Sequence, residues 1–227
     1  MTLQEFILAA ILTAVPQNAQ KFGALQDKPR ITAFSHTIAQ AIEADSKNVK
    51  FIGDAKQYAL ATIVVATIWR ESSFRKSVQY CKRKGDGGKS ITSFQMMKPW
   101  ALSRRVKHTK RFRQYNGEFK EYSYYTWKKI YTEQQICNDT DLATAQFLYL
   151  WSYIQQQSDR SVPANWFAIY GTGKSRRIIT TDRWCRQWQV LARKMNLKGA
   201  NCVRRQDIKF KNYNDLTKQV KKTLREW

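Results

Sequence analysis

The chain has 227 residues, 43% of them hydrophobic, with only nine glycines and four prolines. That is enough for one large domain, or a domain with appendages, around a substantial core. It excludes a disordered or fibrous chain and points to a globular, mainly helical fold. Forty Lys and Arg against 17 Asp and Glu give a net charge of +23, which calls for a polyanionic partner: nucleic acid, an anionic membrane, or a bacterial envelope with its wall carboxylates and polymer phosphates.

In chain order, Thr2 and Glu5 have the spacing of a capping box and open a helix over residues 1–16. Leu3, Phe6, Ile7, Ala10, Ile11 and Ala14 share one face, and Pro16 ends it. A basic start and a small-residue cleavage site are not evident, so the segment does not read as a signal peptide, and export by the ordinary secretory route is not expected. It is also too short and too amphipathic to span a bilayer. A second helix is expected over residues 29–44, with Ile31, Phe34, Ile38 and Ile42 at helical spacing and Pro29 tolerated in the first turn. His36 lies off that stripe and reads as structural.

Asp54 with Gln57 is placed to cap the next helix, which carries Tyr58, Leu60, Val64 and Ile68 and runs into Glu71. Stepping back from Glu71 by threes and fours meets Ile68, Thr67, Val64 and Leu60, so this carboxyl continues a largely apolar stripe. Arg70 points about 100° away around the helix and need not pair with it. An apolar flank and the negative end of the helix dipole both favour the neutral acid, the form needed to protonate a glycosidic oxygen. On position alone, an exposed or salt-bridged glutamate is the commoner outcome.

Beyond a glycine-rich loop, Pro99 opens a short helix. A basic run of Arg104, Arg105, Lys107, Lys110, Arg111 and Arg113 then precedes Tyr115, Phe119, Tyr122, Tyr124, Tyr125, Trp127 and Tyr131. Asn116-Gly117 is a turn signal, so a small β element is expected here, with a composition suited to nucleic acid or a sugar polymer. Asp139 or Thr140 caps an apolar helix holding Leu142, Ala145, Phe147, Leu148, Trp151 and Ile154. Pro163 starts another that delivers Tyr170, and further helices are expected over residues 181–195 and 214–227. Gly171 and Gly173 with Lys174-Ser175 lack the first half of a phosphate loop. Cys81, Cys137, Cys185 and Cys202 lack zinc-site spacing; three disulfide pairings, or buried free thiols, remain open. No nucleotide, flavin or metal motif is visible, so no cofactor is expected.

Three stretches in order carry a resemblance: Glu71-Ser72-Ser73-Phe74, then Gly85-Asp86-Gly87-Gly88-Lys89-Ser90 with Phe94-Gln95-Met96, then Ala168-Ile169-Tyr170-Gly171-Thr172-Gly173. This set resembles the signature of soluble lytic transglycosylases and goose-type lysozymes, common in bacteriophage wall-degrading proteins, and spans roughly residues 55–175. The resemblance implies a lysozyme-like domain, mainly α with a small β element, over residues 51–175. An N-terminal helical segment over 1–50 and a basic helical extension over 176–227 flank it. It implies Glu71 as general acid and then base, Ser90 and Gln95 along a sugar-binding cleft, and Tyr170 across from Glu71. Asp86 is a candidate second carboxylate, although Asp before Gly is also an ordinary turn residue.

Two positions depart from the pattern: Thr92 stands where the family has Gly, adding a side chain where the backbone needs freedom, and Gly171 stands where it has Asn, removing a polar contact. The expected function is cleavage of peptidoglycan glycan strands, by a virion component or lysis protein of a bacteriophage acting at the host envelope. The expected partners are the glycan strand, other virion proteins and anionic envelope polymers. The rivals are a water-using hydrolase with the same Glu71, and an inactive basic virion or nucleic-acid-binding protein.

Overall fold

A computed structural model describes residues 1–15, 26–45, 55–157, 163–172, 179–202, 209–210 and 216–227. The expected stop at Pro16, the cap at Asp54 and the glycine at 173 lie outside them. The described chain is mainly helical, with two small antiparallel sheets.

Helix α1 (Leu3–Ala14) starts on the expected capping box, with the Thr2 side chain and Glu5 satisfying each other's backbone donors. Helix α2 covers Lys28–Asp45 and α3 covers Lys56–Ser72. From Ala59 to Ile68 every side chain of α3 is buried. A helix apolar all round must sit at the centre of its domain, and α3 is packed by α1, α2 and, later in the chain, α9 (Ile179–Lys194). Two of its buried hydroxyls are paired: Ser72 donates to the Ile68 carbonyl at 2.9 Å, and Thr62 donates to the Ala59 carbonyl at 2.8 Å and accepts from the indole of Trp188 on α9 at 3.0 Å.

After α3 come the single-turn α4 (Lys76–Gln79), a 3₁₀ turn at Asp86–Gly88, strands β1 (Ser90–Ile91) and β2 (Met96–Met97), and α5 (Lys98–Ala101). Strands β3 (Ser103–Arg113) and β4 (Phe119–Lys129) then form a hairpin. At eleven residues per strand, it is the β element that the Asn116-Gly117 turn signal suggested. Helices α6 (Glu133–Asn138), α7 (Thr140–Gln157) and α8 (Pro163–Thr172) return to the core, followed by α9 and the terminal α10 (Lys218–Glu226), which packs on α1. One hydrophobic cluster runs from Leu3 to Val220 and draws on all three expected segments. Among the described residues the four cysteines pair as Cys81–Cys137 and Cys185–Cys202.

Candidate functional site

The site begins where α3 stops. Glu71 lies in its last turn, partly buried, above the buried Leu60, Val64, Thr67 and Ile68 of the expected stripe. The helix ends because Ser73 enters the left-handed region at φ 50°, and Phe74 follows it there at φ 57°. Two successive non-glycine residues in that region cost roughly 1–2 kcal/mol each, so the surroundings must hold them. Phe74 is fully buried, the Arg75 side chain bonds the Ser72 carbonyl at 3.0 Å, and the buried Arg30 donates to the Phe74 carbonyl at 3.0 Å and to Gln79 at 2.7 Å. The turn bearing Glu71 is thus fixed from both sides.

Burial raises the pKa of Glu71 from its ordinary 4.5 to about 7. Arg70 pulls the other way and Asp86 adds to the rise, but desolvation dominates. Arg70 is exposed, and among the described residues no cation forms an ion pair with Glu71. The carboxyl is therefore held neutral well above the usual range by its apolar flank.

Tyr170 feels the Glu71 charge. The Tyr170 hydroxyl is pushed well above its ordinary acidity constant, first by burial and then by the Glu71 charge. It donates to the Phe94 carbonyl at 2.6 Å, which fixes the end of α8 against the β1–β2 turn. Phe94 in turn stacks on Phe147 of α7 with ring centroids 4.3 Å apart. Asp86 is exposed at the head of the glycine loop, and its carboxylate accepts a hydrogen bond from Ser90 at 2.6 Å. Ser90 is only 1% exposed, so its hydroxyl positions Asp86 and does not face a sugar.

Gln95 is fixed within the β1–β2 turn. Its amide donates to the Thr92 carbonyl at 2.8 Å, while its carbonyl oxygen faces Gly85 so closely that a Cβ there would collide with it. Gln95, Met97, Trp100, Tyr170 and Gly171 line a cleft of about 330 Å³, large enough for a sugar unit. Glu71 is not in its wall; its link to the cleft is the electrostatic one to Tyr170. Both departures from the family pattern fall here. Thr92 adopts φ 67°, the left-handed conformation in which a glycine is at ease, and Gly171 leaves the cleft rim without a side chain. Trp100 and Arg30 escaped the sequence reading. The Lys98-Pro99-Trp100 run marked a helix start, but nothing local tied it to Tyr170.

Comparison with protein-family models, with curated proteins and with solved structures gives no match. The functional reading therefore rests on these residues and their arrangement.

Proposed function

We propose that the chain cleaves peptidoglycan glycan strands between N-acetylmuramic acid and N-acetylglucosamine, as a lytic transglycosylase with one working carboxyl. The observation that carries this reading is Glu71: a carboxyl with a pKa of about 7, unpaired by any described cation, in the same electrostatic neighbourhood as Tyr170 at the rim of a sugar-sized cleft. Such an acid is about half protonated at neutral pH and gives up its proton readily.

In the proposed cycle Glu71 donates its proton to the glycosidic oxygen as the C1–O bond breaks, and the substrate's own N-acetyl oxygen supports the cationic carbon. The Glu71 carboxylate then takes the proton of the C6 hydroxyl as that oxygen bonds to C1. The product is a 1,6-anhydro ring, the carboxyl is restored, and no water is consumed. Tyr170 holds the cleft wall to the β1–β2 turn, and Gln95 lines that wall with its amide tied back to the Thr92 carbonyl.

One observation favours a hydrolase as the second reading. Asp86, held by Ser90, lies near enough to raise the proton affinity of Glu71, and a second carboxylate is what an enzyme that activates water requires. The two disulfides support a place of action outside a reducing cytoplasm, at a bacterial envelope or in a virion. Replacing Glu71 by glutamine tests the shared core of both readings. Clearing of a wall suspension should fall by about 10²–10⁴-fold with the fold intact; unchanged clearing overturns the assignment.

A further inference from the structure

The β3–β4 hairpin is the largest feature that the cleft chemistry does not use. Its register is unbroken from Ser103↔Lys129 to Arg113↔Phe119, and at ~3.3 Å per residue it reaches roughly 35 Å. Beyond its root nearly every side chain is exposed. A lone two-stranded ribbon is marginal in water, so it needs an anchor. The buried Gln146 of α7 provides one, donating at 2.8 Å to the carbonyls of both Trp100 and Ser103, while the Tyr149 hydroxyl accepts from the backbone of Arg105 at 2.9 Å. The base is rigid and the rest projects.

The hairpin from Ser103 to Lys129 carries nine Lys and Arg against two Glu. Among the described residues none of those nine cations is in an ion pair. It also leaves Tyr122 at 57% and Tyr125 at 51% exposed. The register puts rings and charges side by side on both faces. His108, Lys110, Tyr122 and Tyr124 share one face, with Tyr122 and Tyr124 nearly parallel at 6.0 Å. The other carries Trp127 and Tyr125, with Arg105 lying 4.3 Å over the Tyr125 ring. Exposed rings of this kind are a solubility liability unless a partner covers them.

The rings also lead somewhere. Trp127 lies parallel to Trp100, with centroids 6.4 Å apart and planes within 4°, and Trp100 is part of the wall of the Gln95–Tyr170 cleft. An aromatic track therefore runs out of the cleft and onto the arm.

We propose that this hairpin is a binding arm for the anionic glycan strand, holding the stretch of polymer that continues beyond the cleft. The inference rests on the peptidoglycan reading of the cleft. A pyranose ring lays an apolar C–H face on an aromatic side chain, and the stem-peptide carboxylates of the strand meet the unpaired Lys and Arg. A neutral polysaccharide gives those cations nothing to bind. A nucleic acid satisfies rings and charges alike, but it gives no reason for the track to open into a sugar-sized cleft.

The test uses the full chain with Glu71→Gln, so that nothing is consumed, sedimented with purified peptidoglycan sacculi. Two further sets of substitutions are added separately, both on the face of the track: Lys107→Gln and Arg111→Gln, or Tyr125→Ser. Each set should weaken sacculus binding about tenfold, with unchanged far-ultraviolet circular dichroism, and the charge set should also flatten the salt dependence. Unchanged affinity in both sets overturns the proposal. So does a single-stranded oligonucleotide that binds more tightly than sacculi and displaces them, which would make the arm a nucleic-acid surface. Because binding is read without turnover, an arm that binds sacculi through these residues while the Glu71 enzyme releases no product would refute the catalytic reading and leave the arm standing.

Discussion

Replacing Glu71 by glutamine should change the pH dependence of stability as well as activity. In the folded chain the carboxyl has a pKa of about 7, against an ordinary value of 4.5. Between those two values the folded state holds a proton that the unfolded chain has released, so stability is lost as pH rises from about 4.5 to 7 and is level above that. At about 1.36 kcal/mol per pH unit, the gap amounts to about 3 kcal/mol. Glutamine keeps the shape but cannot ionise. The E71Q chain should therefore gain about 3 kcal/mol relative to the parent on going from pH 4 to pH 8, equivalent to roughly 6–12 °C in Tm for a chain of this size. Urea denaturation of both proteins across that range reads the difference directly. Parallel stability curves would mean that Glu71 titrates as an ordinary exposed carboxylate, and the argument from its burial would fail.

Other perturbations probe the frame around it. The kcat/KM of the parent enzyme should fall as pH rises through about 7, because the protonated acid is the active form; a profile level to pH 9 contradicts that role. Tyr170→Phe removes the 2.6 Å bond to Phe94 and leaves a carbonyl unpaired, costing roughly 1–3 kcal/mol in denaturant titrations. Arg30→Ala frees the turn after Glu71 and should cost about 3 kcal/mol, with a loss of wall clearing under conditions where the chain stays folded. For Thr92→Gly, relief of about 1–2 kcal/mol of left-handed strain is offset by roughly 0.5–1 kcal/mol of extra chain entropy and about 0.8 kcal/mol of lost methyl burial. Its stability should stay within about 1 kcal/mol of the parent, and a large loss would show that the threonine side chain is needed.

Much of this arrangement is legible in the sequence because it is local. The Thr2–Glu5 capping box, the all-apolar α3 and the Asn116-Gly117 turn are set by neighbours within a few residues. The burial that keeps Glu71 neutral is in line with the apolar stripe it continues. What stays hidden depends on long separations. Arg30 reaches the Phe74 carbonyl from another helix, Gln146 anchors the hairpin base from α7, and Trp100 meets Tyr170 at the cleft only once α8 has packed back. Ser90 illustrates a subtler limit. The resemblance implies a place for it along the cleft, yet its buried hydroxyl donates to Asp86, and residue type alone does not reveal which way a hydroxyl faces. The cysteine pairing is likewise set by where α4 meets α6 and where α9 meets the segment after it, not by spacing along the chain.

The most direct test of a single neutral acid cutting a glycan strand is mass spectrometry of the fragments released from purified sacculi by the parent chain and by Glu71→Gln. The account predicts fragments ending in 1,6-anhydro rings from the parent and none above background from the variant. Reducing ends would replace the one-carboxyl route by hydrolysis with Asp86 as the second group, and no release from the parent at all would contradict the enzymatic account.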